Sequence, residues 1–252
     1  MGNTVLKSLI IVLTSFAISC SPKESNDTLI IKEIATDSTL SAKDIDSLFA
    51  INAITYQSID KDNWNVNGGY NPDVKFALAH SNNYLLLQYF VIENDIRATF
   101  GEDFKSRPYL DSCVEFFWKS HADSISYYNL EMNCIGYGIF AKGDKIVKRN
   151  NIDREIHEDI ERYSTLGSEP FGTKSYEENG NEPYQWKLSL LIPATSLFPS
   201  EENPVIKGRT ILANFYKCGS EMPQSHYLSW KPIQSERPNF HQPQFFGKIL
   251  FE

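Results

Sequence analysis

Cysteine is scarce and irregularly placed in this chain. Four occur in 252 residues, at positions 20, 113, 134 and 218, and the absence of any C-x-x-C spacing excludes a zinc-ribbon or thioredoxin-type reading. Positive charge is also in deficit, with 24 Lys and Arg against 32 Asp and Glu and a formal net charge of -8. The basic residues form no cluster, which argues against nucleic acid and against electrostatic docking on anionic lipid. No G-x-S-x-G, H-E-x-x-H or phosphate loop occurs, so serine-hydrolase, zinc-protease and nucleotide chemistries lack their sequence marks. The five histidines, His80, His121, His157, His226 and His241, are scattered and give a metal catalytic site little support.

Long apolar runs are missing except at the N-terminus. There Lys7 precedes an apolar stretch from Ser8 to Ile18, followed by Ser19-Cys20. The run is too short to span a bilayer and reads as an export signal over residues 1–19. Ala17-Ile18-Ser19-Cys20 fits a lipobox loosely, which predicts acylation of Cys20, a lipid-attached tether over residues 20–27 and residence in the cell envelope. A simple signal peptide with an incidental cysteine is the alternative. Cys113, Cys134 and Cys218 lie in strand-like segments; an oxidising compartment permits a disulfide, buried free thiols compete with it, and an odd number leaves one over.

Sustained helical periodicity is likewise absent beyond a short lead-in. Residues 28–60 read as a first strand over Thr28–Ile34 and a short helix over Ser41–Ala50, capped by Ser41 and carrying Ile45, Leu48 and Phe49 on one face. From Thr55 onward the pattern is a series of short strands separated by turns such as Ser81-Asn82-Asn83 and Gly143-Asp144. This predicts an all-β, antiparallel β-sandwich of jelly-roll or immunoglobulin-like kind over residues 28–252. Lys148 to Leu166 is ambiguous between helix and strand plus loop, and Gly172 to Pro183 reads as a surface loop.

Aromatic residues, by contrast, are plentiful: 13 Tyr, 16 Phe and 4 Trp. The most telling stretch runs from Tyr109 to Trp118, where acidic or small side chains alternate with bulky apolar ones at the two-residue period of a strand. One face carries Asp111, Cys113, Glu115 and Phe117; the other carries Ser112, Val114, Phe116 and Trp118. Two carboxylates on a strand beginning beside a tyrosine suggest a polar site on a rigid sheet, although solvated strand faces carry such residues routinely.

Asn63-Trp64, Phe76-Ala-Leu-Ala-His80, Asn129-Leu-Glu-Met-Asn133, Ala213-Asn-Phe-Tyr-Lys-Cys218, Leu228-Ser-Trp-Lys-Pro232 and the run from Pro238 to Phe251 occur in order. Together with the acidic strand they resemble the family 9 carbohydrate-binding modules and their stand-alone relatives, from about Trp64 to the C-terminus. The resemblance implies a non-catalytic module that binds an oligo- or polysaccharide and supports polysaccharide catabolism. It also implies two aromatic walls around the sugar, which fall on Tyr109 and Phe240 where well-known members have Trp. Trp230 could substitute for one of them or belong to the core. The family's acidic strand residue lines up with Glu115. Glu131 stands where well-known members carry Arg, so Arg97 would supply the cation or the ligand would differ. Asn133 shares the Glu131 face, and Asn214 and Tyr216 occupy a polar face where the family uses amides.

Sugar recognition needs flat apolar surfaces plus planar polar groups, and the chain has both. Two other readings use the same residues. Glu115 and Glu131 could act as the carboxyl pair of a glycoside hydrolase. Met132 with His226 or His241 could ligate haem, although Met132 shares the side of Leu130, which reads as core. A surface lipoprotein that binds another protein is a further option. Calcium sites occur in the family, and Asp60-Lys-Asp62-Asn63 and Glu93-Asn94-Asp95 offer oxygens for one, without EF-hand spacing. The expected state is a monomer.

Overall fold

The computed structural model describes residues 28–252 apart from 37–38, 67 and 145–148, together with residue 2. The predicted signal peptide, the tether and Cys20 lie outside the described residues. Strands with one or both faces apolar dominate the chain, and they pair into two large sheets and one small one. The first sheet runs in the order β1 (Leu29–Ile31), β16 (Gly247–Phe251), β14 (Thr210–Gly219), β7 (Cys113–Lys119), β8 (Tyr127–Asn133), β9 (Gly138–Gly143) and β10 (Asn150–Asn151). β15 (His226–Ser229) also pairs with β14, and β3 (Lys61–Asp62) with β15. The second sheet is β11 (Glu161–Ser164), β13 (Tyr184–Pro193), β5 (Tyr84–Glu93), β4 (Asp73–Ser81) and β2 (Gln57–Ser58). β6 (Ile96–Ala98) and β12 (Phe171–Lys174) form a separate ribbon.

The sheets form the β-sandwich that the strand pattern predicts, with one departure: β1 runs parallel to β16. Between them the inward residues of both sheets make one core, in which Phe76 and Phe116 stack on either side of Phe215 at 3.8 and 4.9 Å between ring centroids. Trp230 belongs to this core, edge-on to Phe76 and Phe215. Met132 is also buried there, on the side of Leu130.

Each sheet is covered on its outer face too. Against the second sheet lies the lead-in, a 3-10 turn at Ala42–Asp44 followed by α1 (Ile45–Ile51), which buries Ala42, Ile45 and Phe49 on Ala77, Ala79 and Leu86. Ser41 caps that turn by accepting from the Lys43 N–H. Against the first sheet lies the chain from 233 to 246, which turns Cys113, Phe117, Tyr216 and Cys218 into a third apolar cluster with Ile233 and Phe240. This cover is why the acidic face of β7 is buried rather than solvated.

The ambiguous segment resolves as β10, one turn of helix α2 (Arg154–Glu158) and β11. The expected surface loop from Gly172 begins inside β12, because Phe171 and Lys174 pair with Ala98 and Ile96. α2 is held by an ionic cluster. Arg162 Nη1 donates to both carboxylate oxygens of Asp103 at 2.9 and 2.7 Å, the Gly138 N–H donates to Oδ1 at 2.9 Å, and His157 Nε2 lies 3.3 Å from Oδ2. Burial alone would raise the Asp103 pKa, but these donors outweigh it and lower it to about 2. The stability this gives is present above the unfolded carboxyl pKa and is lost as pH falls through the folded one. Asp103→Asn should therefore cost about 1–2 kcal/mol near neutral pH, allowing for solvent screening, and flatten the acid limb of the stability curve between about pH 4 and 2. Denaturant unfolding across that range checks it.

Candidate functional site

Strand register builds the site. Tyr216 on β14, Glu115 on β7, Glu131 on β8 and Ile139 on β9 are successive cross-strand partners, so one row crosses the outer face of the first sheet. Gly138 permits the close approach beside Glu131, since a Cβ there would sit 1.8 Å from the Glu131 carbonyl oxygen. Above this row lies a cleft of about 590 Å³, within the size range of small-ligand pockets. Glu115 and Glu131 form its floor with Arg149 and Cys218, while Tyr109, Tyr227, Phe240 and His241 rise around it.

Pro108 starts the 3-10 turn Pro108–Leu110 that presents Tyr109 just before β7. Tyr109 is 40% exposed. Phe240 is 8% exposed and is backed by Tyr216, stacked at 4.3 Å with 14° between planes. Trp64 and Tyr227 pack against Phe240 from the sides. The covering loop is pinned by side-chain amides: Asn214 Nδ2 donates to the Lys231 carbonyl, the Lys231 N–H donates back to Asn214 Oδ1, and the Ile233 N–H donates to Asn63 Oδ1. Tyr216 adds a hydrogen bond from its hydroxyl to the Phe240 carbonyl at 3.2 Å.

The charges of the floor are paired. Arg149 Nη1 donates to Glu131 Oε1 at 3.4 Å and to His241 Nε2 at 2.7 Å. Asn129 Nδ2 also donates to Glu131, at 2.9 Å. A guanidinium can only donate, so His241 Nε2 is an acceptor and its Nδ1 carries the proton, which is donated to the Tyr127 hydroxyl oxygen at 2.7 Å. Burial and the Arg149 charge lower the His241 pKa to about 3, so its ring stays neutral. Glu115 meets the Cys218 thiol at 3.1 Å. Burial, with Cys218 and Glu131 adding to it, pushes the Glu115 carboxyl well above the usual range. Burial also raises Glu131, against the pull of Arg149 and Asn129. The floor thus offers hydrogen-bond donors as well as acceptors.

Of the residues singled out in the sequence, Tyr109, Phe240, Glu115 and Glu131 meet in this cleft, and Tyr216 supports Phe240 from beneath. Arg97 does not: its guanidinium pairs with Asp111 at 3.3 Å and Glu221 at 2.7 Å. Asn133 is turned away by bonds to Asp111, the Phe100 carbonyl and the Tyr137 N–H. Asn214 is spent on the loop. Asp111 is buried in the knot it makes with Thr99, Phe100 and Asn133. The floor's cation is Arg149, with Arg237 also lining the cleft; the sequence points to neither, nor to Tyr227 and Asn239, and offers His241 only as a haem ligand. The run from Pro238 to His241, with its proline, amide and two rings, carries a signal for Asn239 and His241 alone.

Several of the oxygens considered for calcium make local hydrogen bonds or ion pairs. Asp62 caps the turn at Trp64 and Asn65, Asp60 pairs with Lys61, and Asp95 accepts from the Tyr176 N–H. Glu93 is buried against Lys217 at 2.8 Å and accepts from Trp186 Nε1.

The model of carbohydrate-binding family 9 matches residues 43–251. A crystal structure from Bacteroides uniformis ATCC 8492, described as a candidate carbohydrate-binding protein, is 35% identical with a TM-score of 0.81, covering 89% of this chain and 99% of that one. Family 9 modules from Caldicellulosiruptor kristjanssonii, solved with glucose and with cellotriose, are 12% and 13% identical. Both have a TM-score of 0.53 over 89% of this chain, covering 95% and 93% of theirs, and they show the shared fold. No curated protein matches the chain.

Proposed function

Since the chain belongs to carbohydrate-binding family 9, we propose that the cleft between Tyr109 and Phe240 binds a saccharide and releases it unchanged. The observation that carries this reading is the convergence of two aromatic walls on a floor of paired polar groups, Glu115, Glu131 and Arg149. A pyranose presents a C–H face that packs on an aromatic ring and an equatorial rim of hydroxyls, each able to donate and accept. Tyr109 takes the first. The carboxyls accept from or donate to the hydroxyls, and Arg149 donates.

Hydrolysis fits the geometry less well. Glu115 and Glu131 are direct cross-strand neighbours in one row of the floor, whereas a glycosidase sets its two carboxyls on either side of the scissile bond. The N-terminal sequence supports the finer role: export, acylation at Cys20, and a lipid-anchored module in the cell envelope that keeps glycan close to degrading or importing machinery. Intact-mass analysis of the membrane fraction tests the anchor, since Cys20→Ser should release the protein from it.

Tyr109→Ala should weaken glycan binding about tenfold, the loss of roughly 1.4 kcal/mol of ring contact. Its exposed ring holds up no core, so the unfolding midpoint should not move. Trp64 sits beside Phe240 and gives a fluorescence signal for the titration. Equal affinity in wild type and Tyr109→Ala would remove this wall from the site.

A further inference from the structure

At the inner end of the cleft three ligand-type side chains converge: Cys113, Cys218 and Glu115, all buried, with their sulfur and oxygen atoms within 4.8 Å of one another. Among the described residues no other group of His, Cys, Asp or Glu does this. Both cysteines are free thiols and are cross-strand partners on β7 and β14. Each turns toward the same oxygen, Glu115 Oε1, Cys218 at 3.1 Å and Cys113 at 3.9 Å.

We propose that Cys113, Cys218 and Glu115 form a binding site for a borderline-soft divalent cation of the zinc class. Zinc–sulfur bonds of about 2.3 Å and zinc–oxygen bonds of about 2.0 Å at a tetrahedral angle put sulfur and oxygen about 3.5 Å apart. The two observed separations, 3.1 and 3.9 Å, lie on either side of that value. Two sulfurs and one oxygen select zinc over calcium or magnesium, which take oxygen alone. A disulfide would use two of the three groups and leave the buried carboxyl facing sulfurs that no longer donate to it.

Cys218 and Glu115 line the cleft, which gives the ion an entry path and leaves room for a fourth ligand from the cleft. Three protein ligands with one open position are the pattern of a site that exchanges water for another oxygen. On binding, each thiol, and the Glu115 carboxyl where it holds a proton, gives that proton to solvent and the metal takes its place. The site goes beyond saccharide binding and does not depend on it.

The test is a cobalt titration of the full chain, reduced and free of metal. A thiolate-to-cobalt charge-transfer band in the near ultraviolet should grow to saturation at a single ion per chain and disappear when zinc is added. Cys113→Ser and Cys218→Ser should abolish it, Glu115→Gln should weaken binding by about tenfold or more, and Cys134→Ser should leave it intact. No band in the wild type, or a band that survives replacement of both Cys113 and Cys218, overturns the proposal. Should the variants fail to fold, thiol labelling of the wild type decides: zinc should slow modification of Cys113 and Cys218 and not of Cys134, and equal rates with and without zinc overturn it.

Discussion

Replacing Lys217 by Met lowers the unfolding free energy by about 3–5 kcal/mol, the cost of leaving one buried charge without its partner. Lys217 and Glu93 are fully buried with 2.8 Å between Nζ and Oε2. The lysine also donates to His226 Nε2 at 2.7 Å and to the Cys218 carbonyl. His226 must therefore be neutral, with its Nδ1–H donated to the Gln224 carbonyl at 2.9 Å; burial and then the Lys217 charge hold its pKa well below the usual imidazole range. Methionine keeps the length of the side chain and removes the bonds to Glu93, His226 and the Cys218 carbonyl. Adding Glu93→Gln to Lys217→Met should return about half of the loss, because the amide still accepts from Trp186 and carries no charge. Urea unfolding of the two single variants and the double variant measures this coupling, and additive losses would contradict it.

The second large effect falls on the ligand. Arg149→Met should reduce saccharide affinity by about 10- to 150-fold, the loss of a charged hydrogen bond of about 1.5–3 kcal/mol. Methionine fills the space of the stem but donates nothing. His241 then loses the donor to Nε2, and Glu131 loses its cation. Arg149→Lys should recover only part of the affinity, since a point charge cannot bond Glu131 and His241 with the same planar fork. A lesser role for Arg149 would show as an unchanged isotherm, with heat capacity and stoichiometry as in the wild type.

The sequence carried the strands well and the site in part. The alternation from Tyr109 to Trp118 did mark β7, and its apolar face is the core that the pattern predicts. The burial of its acidic face is not legible there, because period alone cannot show a third layer; that layer comes from residues 233–246, more than a hundred positions away. The family resemblance and the strand face it falls on make Asn214 and Asn133 candidate sugar ligands, yet each bonds backbone groups that an apolar residue would leave unpaired. An amide that pins a loop and an amide that holds a ligand are the same letter. Arg149 escaped notice for the opposite reason. It stands between β9 and α2, in a stretch with no clear period, and only the fold brings it to within 3.4 Å of Glu131. Arg97 is the cation that the resemblance offers in place of an arginine at position 131, but its pairing with Asp111 and Glu221 ties the segment before β7 instead.

The most direct test is a calorimetric titration of the full chain and Arg149→Met with a panel of plant and microbial oligosaccharides, with each glycan recovered afterwards and assayed for new reducing ends. Saturable binding to the wild type, at least about tenfold weaker in Arg149→Met, with the glycan returned intact, is the predicted result. Equal affinity in the two proteins would place the ligand elsewhere, and release of new reducing ends would contradict the account of a module that binds without cleaving.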